Sequence, residues 1–237
     1  MRALVLTTQT SHHAYFVQQL AREVSDLHVI CETTVVNAPF ETAHAFESER
    51  ERFETQRWFG AEVPGLPSLA PTVDCANIND AQAIGKLRSL KADVTIVFGT
   101  RKLAAALIEA AGGCMLNLHG GDPEHYRGLD THLWAIYHND FANLITALHV
   151  VNEKLDDGAI VGLRPIALRR GMQLAELRAA NTECAVRLCR DAMRELQETG
   201  TIVSRPQRQA GRYYSFMPAV LKAMCVDKFQ RYCATLT

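Results

Sequence analysis

The sequence has no apolar run approaching the roughly 18 residues needed to cross a bilayer. Its first residues, MRALVLTTQTSHH, hold too short an apolar stretch for a signal peptide and no small-residue cleavage site. Together these absences point to a cytoplasmic protein that does not engage a membrane. Net charge is also nearly absent. The 25 Lys and Arg stand against 26 Asp and Glu, a formal charge of −1 over 237 residues, so no excess of one sign steers the chain to nucleic acid or to an anionic surface. The seven cysteines contain no C-x-x-C pair; an odd count without framework spacing reads as reduced, mostly buried thiols. The nine histidines show no H-E-x-x-H or similar ligand spacing, so no metal is expected. No internal repeat or low-complexity stretch divides the chain.

What is present is an ordinary globular composition, 48% hydrophobic and 22% charged, enough to build a full core. RALVLTT (2–8), DLHVICET and ADVTIVFGT are short apolar, β-branched runs that read as buried strands, and GCMLNLH is a further one. Between them lie helical patterns. Ser11 is placed to cap a helix carrying Phe16, Leu20 and Val24, and another helix starts near Asp80, followed by KLAAALIEAA. Residues 41–59 are highly charged around a narrow apolar stripe of Ala43, Phe46 and Phe53, which reads as a helix with a solvated face. GAEVPGLPSLAP, with two Gly and three Pro, is a loop. Alternating strand and helix predicts an α/β fold with a doubly wound, mainly parallel sheet. Farther on, DTHLWAIYH reads as a short helix capped by Asp130, NLITALHVV and AIVGLRPIAL as two strands joined by NEKLDDG, and 172–198 as a long amphipathic helix. The expected division is a main domain over 1–200 and a C-terminal appendage over 201–237.

The segment NLHGGDPEHYRG (117–128) puts an amide, two imidazoles, two carboxylates and a guanidinium where a buried strand ends. In doubly wound sheets, ligands sit outside the carboxyl ends of the strands. Alternation sets Asn117 and His119 on one side of that strand and Leu118 on the other. VFGTRKL, then NLHGGDPEHYRG, then VNEKLDDGAIV together resemble the formyltransferases that use 10-formyltetrahydrofolate, which act on methionyl-transfer RNA, glycinamide ribonucleotide or nucleotide-linked amino sugars. The matching features are Asn117-Leu118-His119, Arg127-Gly128 and the Glu153-to-Gly158 loop. The resemblance covers roughly residues 90–165. Gly120-Gly121-Asp122-Pro123 replaces the family's usual Ser-Leu-Leu-Pro, and TTQTSHH stands where the glycinamide-ribonucleotide enzymes carry a phosphate-binding turn.

The resemblance implies a Rossmann-like formyltransferase fold and formyl transfer from 10-formyltetrahydrofolate to a small-molecule amine, with no metal, nucleic acid or membrane partner. With neither a phosphoribosyl-amine turn nor a basic patch for RNA, an amino sugar on a nucleotide is the first acceptor expected. Hydrolysis of formyltetrahydrofolate and a catalytically silent folate-binding module are the alternatives, and a homodimer is left open. The implied catalytic residues are Asn117 and His119, as donors to a developing oxyanion, with His119 also as proton shuttle and Asp156 as its charged partner. Asp157 is the rival for that last role. Folate contacts are implied for Phe98, Arg101, Leu103, Leu155, Asp156 and Gly158. Acceptor contacts are expected from Thr8, His12, Asp122 and Arg127, with Arg127 able to grip an anion bidentately. Each assignment has a plainer alternative: Asn117 and His119 can satisfy a strand end, Asp156 and Asp157 can be turn residues, and Phe98 and Leu103 can be core.

Overall fold

The computed structural model describes residues 1–237. The first half alternates as expected: β1 (Arg2–Thr7), α1 (Ser11–Ala21), β2 (Asp26–Glu32), α2 (Ala45–Trp58), β3 (Thr72–Cys75), α3 (Ala81–Leu90), β4 (Val94–Val97), α4 (Ala105–Ala111) and β5 (Cys114–Gly120). The second half adds β6 (Tyr126–Gly128), α5 (Thr131–Tyr137), β7 (Ile145–Val150), β8 (Ile160–Pro165), α6 (Leu177–Thr199), β9 (Arg212–Tyr214) and α7 (Ala219–Thr235). The main sheet has the order β3-β2-β1-β4-β5-β7-β8. The first five of these strands pair in parallel, while β7 and β8 run antiparallel at one edge. Strand order reverses between β1 and β4, which opens the crevice where such sheets bind ligands.

The sheet divides the core. Ala3 and Val5 of β1 face α1 and α6, packing with Phe16, Leu20, Ala185 and Cys189. Leu4 and Leu6 face the other way, onto Leu87 of α3 and Leu107 of α4. Coverage on both faces explains why β1 and β4 read as unbroken apolar runs rather than as alternating ones. A further cluster joins Leu133 and Ile136 of α5, Leu174, Leu177, Met217 and Phe229 of α7. The chain beyond residue 200 is tied into the rest: Arg205 bridges to Ile160, β9 pairs in parallel with β6, and α7 packs on α5. Six of the seven cysteines are buried and all are free. No helix is long and apolar enough to cross a membrane.

Several local expectations need correction. Thr10, not Ser11, caps α1, its hydroxyl accepting from the His13 amide, while the Ser11 hydroxyl turns inward to Glu54. Asp130 precedes α5 in the left-handed conformation, φ +50°, with no capping bond. Its carboxylate instead accepts from the Met217 amide at 2.8 Å. The charged helix is shorter than expected and begins after His44, whose ring accepts from the Phe46 amide. The long helix begins at Leu177, after a single 3-10 turn over Leu174–Glu176.

Candidate active site

β5 delivers Asn117 and His119 to the end of the sheet, and its antiparallel neighbour β7 sets His149 directly opposite Asn117. The loop from β7 to β8 then returns Asp156 over both. Two backbone features hold that loop. Asp156 lies in the left-handed region at φ +50°, tolerated by Asp more readily than by most residues. At Gly158, a Cβ would stand 1.6 Å from the Val150 carbonyl oxygen, so only glycine lets the loop close on β7.

The side chains form one connected cluster. His119 Nε2 donates to the Tyr126 carbonyl at 2.8 Å, which turns Nδ1 toward Asp156 Oδ2 at 3.7 Å. His149 Nδ1 donates to its neighbour's carbonyl, Val150, at 2.9 Å, leaving Nε2 to accept from Asn117 Nδ2 at 3.1 Å. The same Asn117 nitrogen reaches Asp156 Oδ1 at 3.4 Å, and the Gly128 amide donates to Oδ2 at 2.9 Å. His119, His149 and Asp156 are all buried. Burial works against ionisation of Asp156, yet the field of His119, the contact with His149 and the Gly128 amide outweigh it and hold the carboxyl at about 2. Asp157, the alternative, points away and pairs with Arg127 at 2.8 Å.

This cluster lies on the wall of a cavity of about 830 Å³ that runs along the carboxyl ends of β1, β4 and β5. Phe98, Arg101, Leu103, Leu155, Thr8 and His12 line it together with Asn117, His119 and Asp156. Phe98 is also core, 8% exposed. The Arg101 side chain is ion-paired to buried Glu32, which also accepts from the Arg101 amide at 3.1 Å. Thr8 contacts His13 Nδ1 at 2.9 Å. The rings of His12 and His13 lie 3.9 Å apart, and burial lowers both pKa values, His13 to about 3.

Gly158, Asp122 and Arg127 do not line the cavity. Asp122 is folded into its own turn, accepting from the Glu124 amide at 2.9 Å. Arg127 has its fork taken up by Asp157, by Gln207 Oε1 at 2.6 Å and by the Pro123 carbonyl at 3.1 Å. In this arrangement it braces the loops that carry Pro123, Asp157 and Gln207. Gln207 in turn donates to the carbonyls of Asp156 and Gly158, each at 2.9 Å.

Residues absent from the sequence reading also line the cavity: His149, His132, Arg50 and Arg178. His149 shares an otherwise apolar strand with Thr146, and nothing local distinguishes it from a satisfied core histidine. Arg50 sits on the helix read as solvated, yet that helix also carries Glu54, which is fully buried and clasped by Arg178 at 2.7 and 2.8 Å.

The sequence profile of the family described as Formyl transferase matches residues 1–186. A methionyl-tRNA formyltransferase from Rhodopirellula baltica is 33% identical over 135 residues, 56% of this chain and 38% of that protein, so the match spans well under half of the relative. Among solved structures, a sugar N-formyltransferase from a Shewanella species aligns over 97% of this chain and 87% of its own, with TM-score 0.63 at 12% identity. The formyltransferase PseJ from Anoxybacillus kamchatkensis, solved with a UDP-linked formamido sugar and tetrahydrofolate, aligns over 91% of this chain and 86% of its own, with TM-score 0.56 at 14% identity. At such identities the structural likeness is one of fold. With the profile matching most of its length, this chain belongs to the formyl transferase family.

Proposed function

We propose that this protein moves a formyl group from 10-formyltetrahydrofolate to the amine of a small molecule, with an amino sugar carried on a nucleotide as the acceptor class. The observation that carries this reading is the cluster of Asn117 with buried His119, His149 and Asp156 on a cavity wall at the reversal of strand order. The cavity fits a folate: Phe98, Leu103, Leu118 and Leu155 supply apolar wall beside the backbone of loop 151–155, the mixture a flat ring with polar edges needs. Folate supplies a formyl group on a tertiary amine nitrogen.

The protein's own residues provide the rest. An amine that attacks a formyl carbon must lose a proton, and the departing nitrogen must gain one. His119 would serve both steps through Nδ1, since its Nε2 hydrogen is held by the Tyr126 carbonyl; Nδ1 would take the proton from the amine and return it to the departing nitrogen, with Asp156 3.7 Å away to stabilise the protonated ring. A developing oxyanion needs donors. Asn117 Nδ2 has two hydrogens, bonded here to His149 and Asp156, and one of those hydrogen bonds would be redirected to that oxygen, the proton staying on the amide. No covalent intermediate is needed. The Shewanella protein is named for sugar N-formylation and PseJ was solved with a UDP-linked formamido sugar, which supports the acceptor class.

The test is to incubate the protein with 10-formyltetrahydrofolate and a panel of nucleotide-linked amino sugars, following release of tetrahydrofolate and formylated product by mass. Release that depends on the acceptor is expected. Release at the same rate without any amine would make the protein a hydrolase and overturn the reading.

A further inference from the structure

At the other end of the same cavity stand two guanidiniums, Arg50 of α2 and Arg178 of α6, beside His12 of α1. Arg178 is fixed. Its Nε and Nη2 bind the two oxygens of buried Glu54 at 2.7 and 2.8 Å, leaving Nη1 uncommitted. Arg50 is not satisfied. Its side chain is 19% exposed, its Nε is buried without a hydrogen-bond partner, and its ion contact, with Glu47, is 4.0 Å long. Glu47 is already engaged by Lys222 at 2.8 Å and by the His44 amide at 3.1 Å. The remaining neighbour of Arg50 is the ring of Phe46, 5.5 Å from its carbon centre.

A guanidinium taken from water without hydrogen bonds is costly. Here the cost is visible, because burial and the like charge of Arg178 push the Arg50 pKa down to about 10. The acidic groups facing this end do not cancel it. Glu54 is matched by Arg178 and Glu47 by Lys222. Asp130 is bound to the Met217 amide, and burial shifts it toward its uncharged form. His12 is held uncharged by burial, by His13 and by both arginines, so it adds a hydrogen-bonding edge and no competing charge.

We propose that Arg50 and Arg178, with His12 beside them, hold a phosphate or diphosphate group of the acceptor. The fork of Arg50 and the uncommitted Nη1 of Arg178 suit an oxyanion with several terminal oxygens. The cavity is continuous from Asp156 to Arg50, so an acceptor anchored here by phosphate extends its amine toward His119. The inference rests on the acceptor reading above and deepens it: the substrate is a phosphorylated amine, and its grip lies on α2 and α6.

Calorimetry with the full chain tests this, using inorganic pyrophosphate, acetate and tetrahydrofolate as separate titrants on the wild type, Arg50→Ala and Arg50→Lys. Pyrophosphate is expected to bind the wild type. Arg50→Ala should weaken it by about tenfold or more, the loss of one charge-assisted hydrogen-bonded contact. Arg50→Lys, which keeps charge and stem but not the fork, should lie between the two and decides the matter if the alanine variant does not fold. Tetrahydrofolate affinity should stay within about twofold in every folded variant. Undetectable pyrophosphate binding, equal binding in wild type and both variants, or acetate binding more tightly than pyrophosphate would each overturn the proposal. Pyrophosphate binding without tetrahydrofolate binding would leave the anion end standing and remove the folate reading; the reverse result would do the opposite.

Discussion

The two ends of the cavity are built on opposite rules. At the end of β5 every polar side chain has a partner: His119 on Tyr126, His149 on Val150, Asn117 on His149, and Asp156 on the Gly128 amide. At the α1–α2–α6 end, a guanidinium is left with its Nε unpartnered. Groups that steer a reaction gain from being held in place before substrate arrives, because less reorganisation then adds to the barrier. Groups that hold a substrate can keep unsatisfied donors, since the ligand completes them. The difference separates chemistry from recognition within one crevice.

The comparison is broken most severely at His119. His119→Ala should lower formyl transfer by roughly 10²-fold or more, with Asn117→Ala close behind. Steady-state kinetics with saturating folate would show the loss in kcat. Arg50→Ala, tested under the same conditions, should raise the acceptor KM and leave kcat nearly intact. A histidine variant that turns over at the wild-type rate would remove His119 from the chemistry.

A second contrast concerns acid. His13 and His132 have folded-state pKa values that burial lowers to about 3 and about 4. They stabilise the fold in their uncharged form, fully above the unfolded value of about 6.5, and that contribution is lost as pH falls through 6.5 toward 4. Asp156 is also depressed, to about 2, so its contribution is present above about 3.8 and disappears only as pH falls below that. Integrated, Asp156 accounts for about 2 kcal/mol. Denaturant midpoints between pH 7 and pH 2 should therefore decline in two stages. His132→Gln should flatten the upper stage and Asp156→Asn the lower one; unchanged profiles in both variants would refute the assignment.

The smallest effect is expected at Arg127. Its guanidinium is held by Asp157, Gln207 and Pro123, so Arg127→Ala should change the acceptor KM by less than about threefold. A large rise in KM would return it to the acceptor site, where the sequence reading had it.

Legibility followed locality. β1, β4 and β5 could be read because buried parallel strands need continuous apolar residues, and Asn117, His119 and Asp156 because three short motifs keep their order. The short NEKLDDG connection marks β7 and β8 as a pair of opposite direction, but the reversal of β7 against β5 left no mark, since a strand's residues do not record which way its neighbour runs. β9 is three residues long, and its partner β6 lies over eighty residues earlier, so no window contains the pair. Glu54 and Arg178 were invisible for a different reason. A charge buried against its counter-ion has the same letter as one in water, and the stripe that defines a helix's inner face counts apolar residues only. Of the four residues expected to contact the acceptor, Thr8 and His12 line the cavity, whereas Asp122 and Arg127, on the loop after β5, are engaged by their own neighbours.

The clamp made by Gln207 also orders events in time. Every member of the β5-end cluster has been synthesised once the chain reaches Asp156, but the glutamine that grips the carbonyl of that residue follows 51 positions later. Arg205, which fastens Glu124 through both guanidinium ends, arrives with it. A nascent chain leaving the ribosome thus carries all of its candidate chemistry well before the loop bearing Asp156 is pinned. The backbone clamp on that loop forms only when this late segment folds back onto it.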